Sequence, residues 1–248
     1  MLTDLNVVKM RNKIVTSIFF LFVVSIVSAQ GLTEYFSKTD SFLKENVKSG
    51  RVNYKAIKNN PDALASLLDN AKTILVAKTD AKNYQAFWIN TYNLLVIDGI
   101  VKNYPLKSPL DVAGFFDKKK HAVGGENITL NDIENKLLRA NFSKDPRFHF
   151  VLVCAGLGCP PIIAKAYKPS TLNSQLTTQT KKALNDDNFI RVNKNKVKVS
   201  QIFEWYKGDF EQNGSDLVDF INTYRTEKLP ENSKVSYYPY DWTLNEVK

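Results

Sequence analysis

Both cysteines of the chain and one of its two histidines lie in a single stretch, HFVLVCAGLGCPP, which runs from His149 to Pro161. A thiolate beside an imidazole is the nucleophile and base of thiol catalysis. The same cysteines could instead form a disulfide, bind a metal ion or be buried as small apolar side chains. The sequence alone leaves these four interpretations open.

If one cysteine is a nucleophile, the local pattern favours Cys159, with His149 as its base. The run RFHFVLVC predicts a buried strand, because it is almost entirely apolar from Phe148 onward. Side chains alternate along a strand, so His149 and Cys154 would lie on opposite faces, about 16 Å apart at ~3.3 Å per residue. Cys159 follows two glycines that let the loop fold back, and it precedes a proline that can begin a helix. A helix N-terminus lowers a thiol pKa, and Cys154 remains the alternative nucleophile.

The other three interpretations differ in what they require of the two cysteines. Exported chains with exactly two cysteines often form a disulfide, and the glycine-bearing loop could bring the two α-carbons within the required ~4.4–6.8 Å. A metal site made of Cys154, Cys159 and His149 lacks the usual ligand spacing. We therefore expect no metal and no cofactor. Burial of one or both thiols as small apolar groups needs no further partner.

The segment AKNYQAFWINTYNLLVIDGIVKNYP predicts a helix from Ala81 to Tyr104 that is ended by Pro105. Its apolar residues occupy more than one side, which indicates a central helix buried by neighbours on several faces. Asn90 and Asn93 share one face, and a buried amide must be hydrogen-bonded or cost about 1–3 kcal/mol. Either these amides hold neighbouring loops, or one of them orients a catalytic group or stabilises an oxyanion.

The remaining pattern predicts short hairpins and further helices. Gly124-Gly125 marks one hairpin, and NFIRVNKNKVKVS predicts another. TLNDIENKLLRAN predicts a helix that Asn131 caps, with Glu134 in the capping-box position. DKKKH, which contains the second histidine, His121, predicts an exposed hairpin tip. Because helices outnumber strands, we predict a single α+β domain over residues 30–248, rich in helices and with a buried central helix.

The beginning of the chain predicts export. The segment MRNKIVTSIFFLFVVSIVSAQ has a basic start, and its apolar core, residues 14–27, is shorter than the about 20 residues that span a bilayer. Small residues up to Ala29 fit cleavage before Gln30. We therefore predict a signal peptide over residues 1–29, with Met10 rather than Met1 as the initiator, and a periplasmic or secreted product. No cysteine follows the apolar core, which argues against a lipoprotein anchor; an uncleaved N-terminal anchor is the alternative.

The charge of the chain suggests acidic partners without identifying one. The formal net charge is +9, and about +7 belongs to the part after residue 29. Such a surface favours an anionic glycan or an anionic envelope surface. The positive residues are scattered and no recognition motif accompanies them, so we expect no nucleic acid binding. The substrate and the oligomeric state are not indicated.

Several ordered segments resemble the domain-of-unknown-function 547 (DUF547) family: AFWINTYNLLVIDGI, GENITLNDIENKLLR, DPRFHFVLVCAGLGCPPI and the terminal YDWTLN. The likeness extends from about Val52 to Asn245. It implies an α+β domain, exported in many bacteria. The matching motif residues are Trp88, Asn90, Tyr92, Asn93, Glu134, Arg139, Arg147, His149, Cys154, Cys159, Pro160, Asp241 and Trp242. One departure is Asn135, which stands where many members have a histidine.

The grouping of glutamate, histidine and cysteine in this family suggests a thiol hydrolase acting on peptide or amide bonds. In this chain Cys159 would be the nucleophile, His149 the base and Glu134 the group that orients the base. We expect Asn90, Asn93, Trp88, Arg147 and Asp241 to support the site. The alternative is a non-catalytic binding or structural module of the cell envelope, in which the same residues form a rigid polar core.

Overall fold

The computed structural model describes residues 30–248. The predicted signal peptide and the predicted start at Met10 lie outside the described residues. Within them, none of the helices combines the length and the apolar character that crossing a membrane requires.

The predicted central helix is present as α4, Ala81–Asn103. Every residue from Ala86 to Val101 is buried, which the apolar residues on several sides of the helix predicted. Pro105 follows the C-cap residue Tyr104, because proline cannot continue the helical hydrogen bonds. This helix is the element on which the rest of the domain packs.

Helices of very different length surround α4, and all the bounds of the regular elements follow the order of the chain. Helix α1 covers residues 30–46. The other helices are α2 Tyr54–Asn59, α3 Asp62–Thr73, α5 Leu130–Asp132, α6 Leu172–Leu184, α7 Ile202–Trp205, α8 Lys207–Phe210 and α9 Leu217–Tyr224, with 3-10 turns at Pro109–Asp111 and Pro146–Phe150 and a π-helix at Ile133–Arg139.

The strands form three small sheets. Strands β1 (Val47–Lys48) and β2 (Arg51–Val52) pair antiparallel, as do β3 (Lys120–Val123) and β4 (Glu126–Thr129). In the third sheet β5 (Ile190–Asn193) pairs antiparallel with β6 (Lys196–Ser200), and β6 pairs parallel with β7 (Lys234–Tyr238). Both predicted hairpins are present. The predicted α+β class, rich in helices with short strands, is confirmed.

The predicted strand from Phe148 to Cys154 is wrong. Residues Pro146–Phe150 form a 3-10 turn, with Pro146 in its first turn and the Asp145 side chain accepting from the backbone N–H of Arg147. The residues after it find a side chain as their partner in place of a strand. The amide of Asn93 donates to the carbonyl of Val151 and accepts from the N–H of Val153, each at 2.9 Å. The separation of His149 from Cys154 that a strand would impose therefore does not apply.

Two further local predictions are wrong. The helix after β4 is capped by Thr129, which accepts from the N–H of Asp132, and not by Asn131. His121 is 9% exposed, because the alternation along β3 turns it and Val123 inward. The lysines that precede it lie outside or at the edge of the strand.

The apolar side chains form two clusters. The larger surrounds α4, and the smaller gathers Phe150, Leu184, Phe203 and their neighbours around the third sheet. A cleft draws its lining from both clusters, with Leu152 from the larger and Ile202 from the smaller. This boundary holds the candidate site.

Candidate functional site

The cleft between the two clusters encloses about 340 Å³. Small-molecule sites commonly enclose about 300–1,000 Å³. Its lining includes all four residues proposed for catalysis from the sequence: Glu134, His149, Cys154 and Cys159. These residues come from the π-helix, the 3-10 turn and the glycine loop that follows it. The cleft therefore brings the predicted residues together, while their catalytic roles stay predictions.

His149 lies between two carboxylates. Its Nε2 is 2.9 Å from Oδ2 of Asp209, and its Nδ1 is 3.8 Å from Oε1 of Glu134. The ring is 3% exposed, and the ring of Tyr206 lies over it with 4.0 Å between the centroids. The orientation of the imidazole is therefore fixed by packing on one side and by a hydrogen bond at its edge.

Asp209 holds the histidine and is itself held by an arginine. The guanidinium of Arg139 binds both carboxylate oxygens, with 2.7 Å between Nη2 and Oδ1. Burial alone would raise the pKa of Asp209, but the hydrogen bonds from His149 and Arg139 outweigh it and lower the pKa to about 2. Asp209 is thus a permanent negative charge at any physiological pH.

The π-helix explains how Glu134 and Arg139 reach the same site. Residues five apart lie far around an α-helix, whereas hydrogen bonds from residue i to i+5 bring them to one side. Such a bond joins the N–H of Ala140 to the carbonyl of Asn135 at 3.1 Å. The side chain of Asn135 also accepts from Arg139. The asparagine that departs from the family pattern therefore helps to position the arginine.

Cys154 and Cys159 are joined by a disulfide, with 6.3 Å between their α-carbons. The hydroxyl oxygen of Tyr240 lies 2.9 Å from Sγ of Cys159 and 3.0 Å from Sγ of Cys154. Burial raises the pKa of Tyr240, so the phenol is neutral and able to donate. In this form the chain has no free thiol within the described residues.

The C-terminal tail holds the glycine loop in place. The N–H of Gly158 donates to the carbonyl of Asp241 at 2.7 Å, and the N–H of Leu157 donates to that of Thr243 at 2.8 Å. A Cβ atom on Gly158 would lie 2.8 Å from the backbone nitrogen of Asp241, so the close approach requires glycine. The side chain of Asp241 is exposed and accepts only from the N–H of Thr243.

Aromatic rings form one wall of the cleft. Trp205 is 48% exposed, and its ring centroid lies 5.1 Å from that of Tyr240 and 6.1 Å from that of Trp242. Trp242 also packs on Phe116. Exposed aromatic faces of this kind offer a stacking surface to a planar or apolar group of a ligand.

Three of the predicted supporting residues lie outside the lining of the cleft. Asn90 accepts from the N–H of Tyr167 and donates to its carbonyl, so it holds a loop as Asn93 does. Trp88 is buried in the larger cluster. Arg147 is bonded to Asp145 and reaches α6 through Asn173.

Sequence reasoning missed the partners of His149. Asp209 and Tyr206 lie in the helical stretch QIFEWYKGDF, about 60 residues after the histidine. A single aspartate beside apolar positions at helical spacing is the signal that could have pointed to a buried charge. Tyr240 stands next to the aspartate and tryptophan of the terminal motif, and only folding brings it to the sulfurs.

No group of three or more His, Cys, Asp or Glu side chains in residues 30–248 is arranged to hold a metal ion. The carboxylates of the cleft are instead engaged with His149, Arg139 and Tyr206.

Comparison with known proteins gives a family and nothing finer. No curated protein and no solved structure matches the chain. Residues 76–184 match the model of the family described as "Protein of unknown function, DUF547". This segment contains α4, the π-helix, His149 and both cysteines of the cleft. The chain therefore belongs to the DUF547 family.

Proposed function

We propose that the reduced form of this DUF547 domain is a thiol hydrolase acting on a peptide or amide bond. One observation carries the proposal: Glu134, His149 and both cysteines line one cleft, and His149 is oriented there by Asp209. Thiol hydrolases need a sulfur and an oriented base beside a space for the substrate.

The hydrogen bond to Asp209 assigns the roles of the two imidazole nitrogens. With Nε2–H donating to Asp209, Nδ1 carries the lone pair and is the base. Nδ1 faces the cleft beside Glu134. We therefore assign the orienting role to Asp209, whereas the sequence suggested Glu134 for it. Glu134 would stabilise the imidazolium that forms when Nδ1 takes a proton.

The reaction would begin with reduction of the disulfide by a thiol reductant, which supplies two electrons and two protons. The Cys159 proton would pass to Nδ1 of His149, and the thiolate would attack the carbonyl carbon. As the carbon–nitrogen bond breaks, His149 returns the proton to the leaving amine. Water then cleaves the thioester and restores the thiol. The phenol of Tyr240, beside both sulfurs, would donate to the oxyanion.

A second function is favoured by the paired sulfurs. With the disulfide closed and both nitrogens of His149 facing carboxylates, the centre is a satisfied polar network. In that case the aromatic cleft would bind a ligand of the cell envelope without cleaving it. The same residues would then serve only to keep the cleft rigid.

Alkylation kinetics separate the two functions. The chain is reduced with dithiothreitol, and the rate of iodoacetamide labelling at each cysteine is followed by mass spectrometry between pH 5 and 9. A hydrolase centre predicts that Cys159 reacts at pH 6 faster than a free thiol, and that His149→Gln removes the acceleration. Asp187→Asn, at an exposed site, serves as the control. Equal and slow labelling of both cysteines in all variants would leave the binding function.

We further propose that the chain is exported, on the basis of the signal-like sequence at its start. Expression of the full chain with an export-competent host should give a product that begins at Gln30. A product that retains its first 29 residues in the membrane fraction would instead support the N-terminal anchor.

A further inference from the structure

A second cleft lies between helix α3, the C-terminal half of α4 and strand β3, and it shares no lining residue with the first. It encloses about 490 Å³. This volume is within the about 300–1,000 Å³ of small-molecule sites. Neither the family motifs nor the proposed hydrolase centre uses it.

The rim of this cleft is cationic. Five lysines line it, against two aspartates. Lys72 pairs with Asp69 and Lys102 pairs with Asp98. The other three, Lys58, Lys119 and Lys120, form no ion pair with any residue in the described part of the chain. The uncompensated charge favours an anion at the rim.

The floor of the cleft is apolar. Leu64, Leu95 and Val123 contribute buried side chains from α3, α4 and β3 respectively. Leu68 and Val101 extend the same surface. A bare anion would use the rim and leave this floor unoccupied, whereas an alkyl chain lying on it would be removed from water.

His121 adds an independent sign of a missing partner. It lines the cleft at 9% exposure, and its Nε2 is buried with no hydrogen-bond partner in residues 30–248. A buried polar atom left unpaired costs about 1–3 kcal/mol. Burial, with the charge of Lys119 next, lowers the pKa of His121 to about 4. The ring is therefore neutral at pH 7 and can change its state when an anion arrives.

We propose that this cleft binds a small amphipathic anion, with a phosphate or carboxylate head at the lysine rim and an alkyl chain on the apolar floor. The three unpaired lysines supply the charge, and the five apolar side chains supply the surface. His121 stands beside both and would gain a hydrogen-bond partner from the head group. A neutral sugar would not use the lysines, and a cationic amphiphile would be repelled.

The test measures binding of monomeric dodecyl phosphate to the full chain by calorimetry. Inorganic phosphate and dodecanol serve as the head and tail alone, and dodecyltrimethylammonium reverses the charge. We expect one site for dodecyl phosphate and at least tenfold weaker binding of the other three. The double variant Lys58→Gln/Lys119→Gln should weaken dodecyl phosphate binding about tenfold. Its matched control, Lys196→Gln/Lys198→Gln on exposed strand positions, should leave binding unchanged.

Three results would overturn the proposal. The first is equal affinity of the two lysine double variants, which would show that the net charge of the chain and not this rim attracts the anion. The second is loss of binding in Trp205→Ala, which would place the ligand in the aromatic cleft. The third is binding only to vesicles of anionic lipid and not to the monomer, which would show a membrane surface as the partner. A shift of the His121 ring signals in NMR on adding dodecyl phosphate would support the assigned cleft directly.

Discussion

At the scale of single residues, the two histidines have opposite surroundings. His149 lies between Asp209 and Glu134, whereas His121 has Lys119 nearby and an unpaired Nε2. Both are buried, so exposure does not distinguish them. The stability of the domain should therefore depend on pH in two separate windows, one set by His121 and the other by Asp209.

The first window belongs to His121. Its pKa falls from 6.5 in the unfolded chain to about 4 in the folded one, so the unfolded chain binds more protons between these values. Stability from this group is complete above about pH 6.5 and is lost as the pH falls toward 4. We expect His121→Leu to remove this loss and to raise the free energy of unfolding at pH 7 by about 1–3 kcal/mol. Urea unfolding at pH 7.5 and 4.5 measures both effects; an unchanged pH slope would contradict them.

The second window belongs to Asp209. Its lowered pKa means that the folded chain favours the carboxylate, so its contribution is present above about pH 4 and is lost as the pH falls to about 2. Asp209→Asn should lower the free energy of unfolding at pH 7 by about 2–3 kcal/mol, at ~1.4 kcal/mol for each unit of pKa. Acid titration followed by circular dichroism should show a shallower transition in that variant. Asp187→Asn, at an exposed position, should behave as the parent chain, and equal losses in the two variants would refute the assignment.

At the scale of elements, the part of the structure that could be predicted from sequence is the part whose partners are local. Helix α4 follows from its apolar residues and Pro105, and the β3–β4 hairpin follows from two glycines, which have φ of 60° and 74°. The stretch after His149 has the composition of a strand, but its backbone pairs with Asn93, 58 residues earlier. No pattern in the stretch itself could reveal a side chain that takes the place of a strand.

The candidate site divides in the same way. The cysteines and His149 stand together in the sequence, so their presence in one cleft could be anticipated. The π-helix could not, because the residues of Ile133–Arg139 also suit an α-helix. Asp209 and Tyr240 come from separate segments that only the tertiary packing brings to the cleft.

The amide of Asn93 permits a test of this replaced strand partner. Asn93→Leu has nearly the same volume and leaves the carbonyl of Val151 and the N–H of Val153 unpaired in a buried place. We expect the free energy of unfolding to fall by about 2–5 kcal/mol, from about 1–3 kcal/mol for each group. Hydrogen exchange should accelerate at Val153 more than in the third sheet. Asn103→Leu, at the end of α4 and half-buried, is the control; an equal loss there would show that the bonds to Val151 and Val153 are of little account.

At the scale of the whole molecule, the C-terminal tail connects the first strand pair to the cleft. The N–H of Val52 donates to the carbonyl of Asn245 at 3.0 Å, and the N–H of Asn245 donates to that of Ala155 at 2.9 Å. The hydroxyl of the buried Tyr54 donates to Oδ1 of Asn245 at 2.7 Å. Tyr240 and Trp242, at the beginning of the same tail, line the cleft. A change at Asn245 should therefore affect both ends of this connection.

We expect Asn245→Ala to lower the free energy of unfolding by about 1–3 kcal/mol, because it leaves the buried hydroxyl of Tyr54 without an acceptor. The loss should be smaller when Tyr54→Phe is already present, since the hydroxyl is then gone. A double-mutant cycle measured by urea unfolding gives the coupling, which we expect to exceed about 0.5 kcal/mol. The fluorescence of Trp242 should change with Asn245→Ala and not with Tyr54→Phe, because the tail moves only when its backbone loses its side-chain support. Additive losses with no change in fluorescence would mean that the tail is held by its backbone hydrogen bonds alone, and that the cleft does not depend on Asn245.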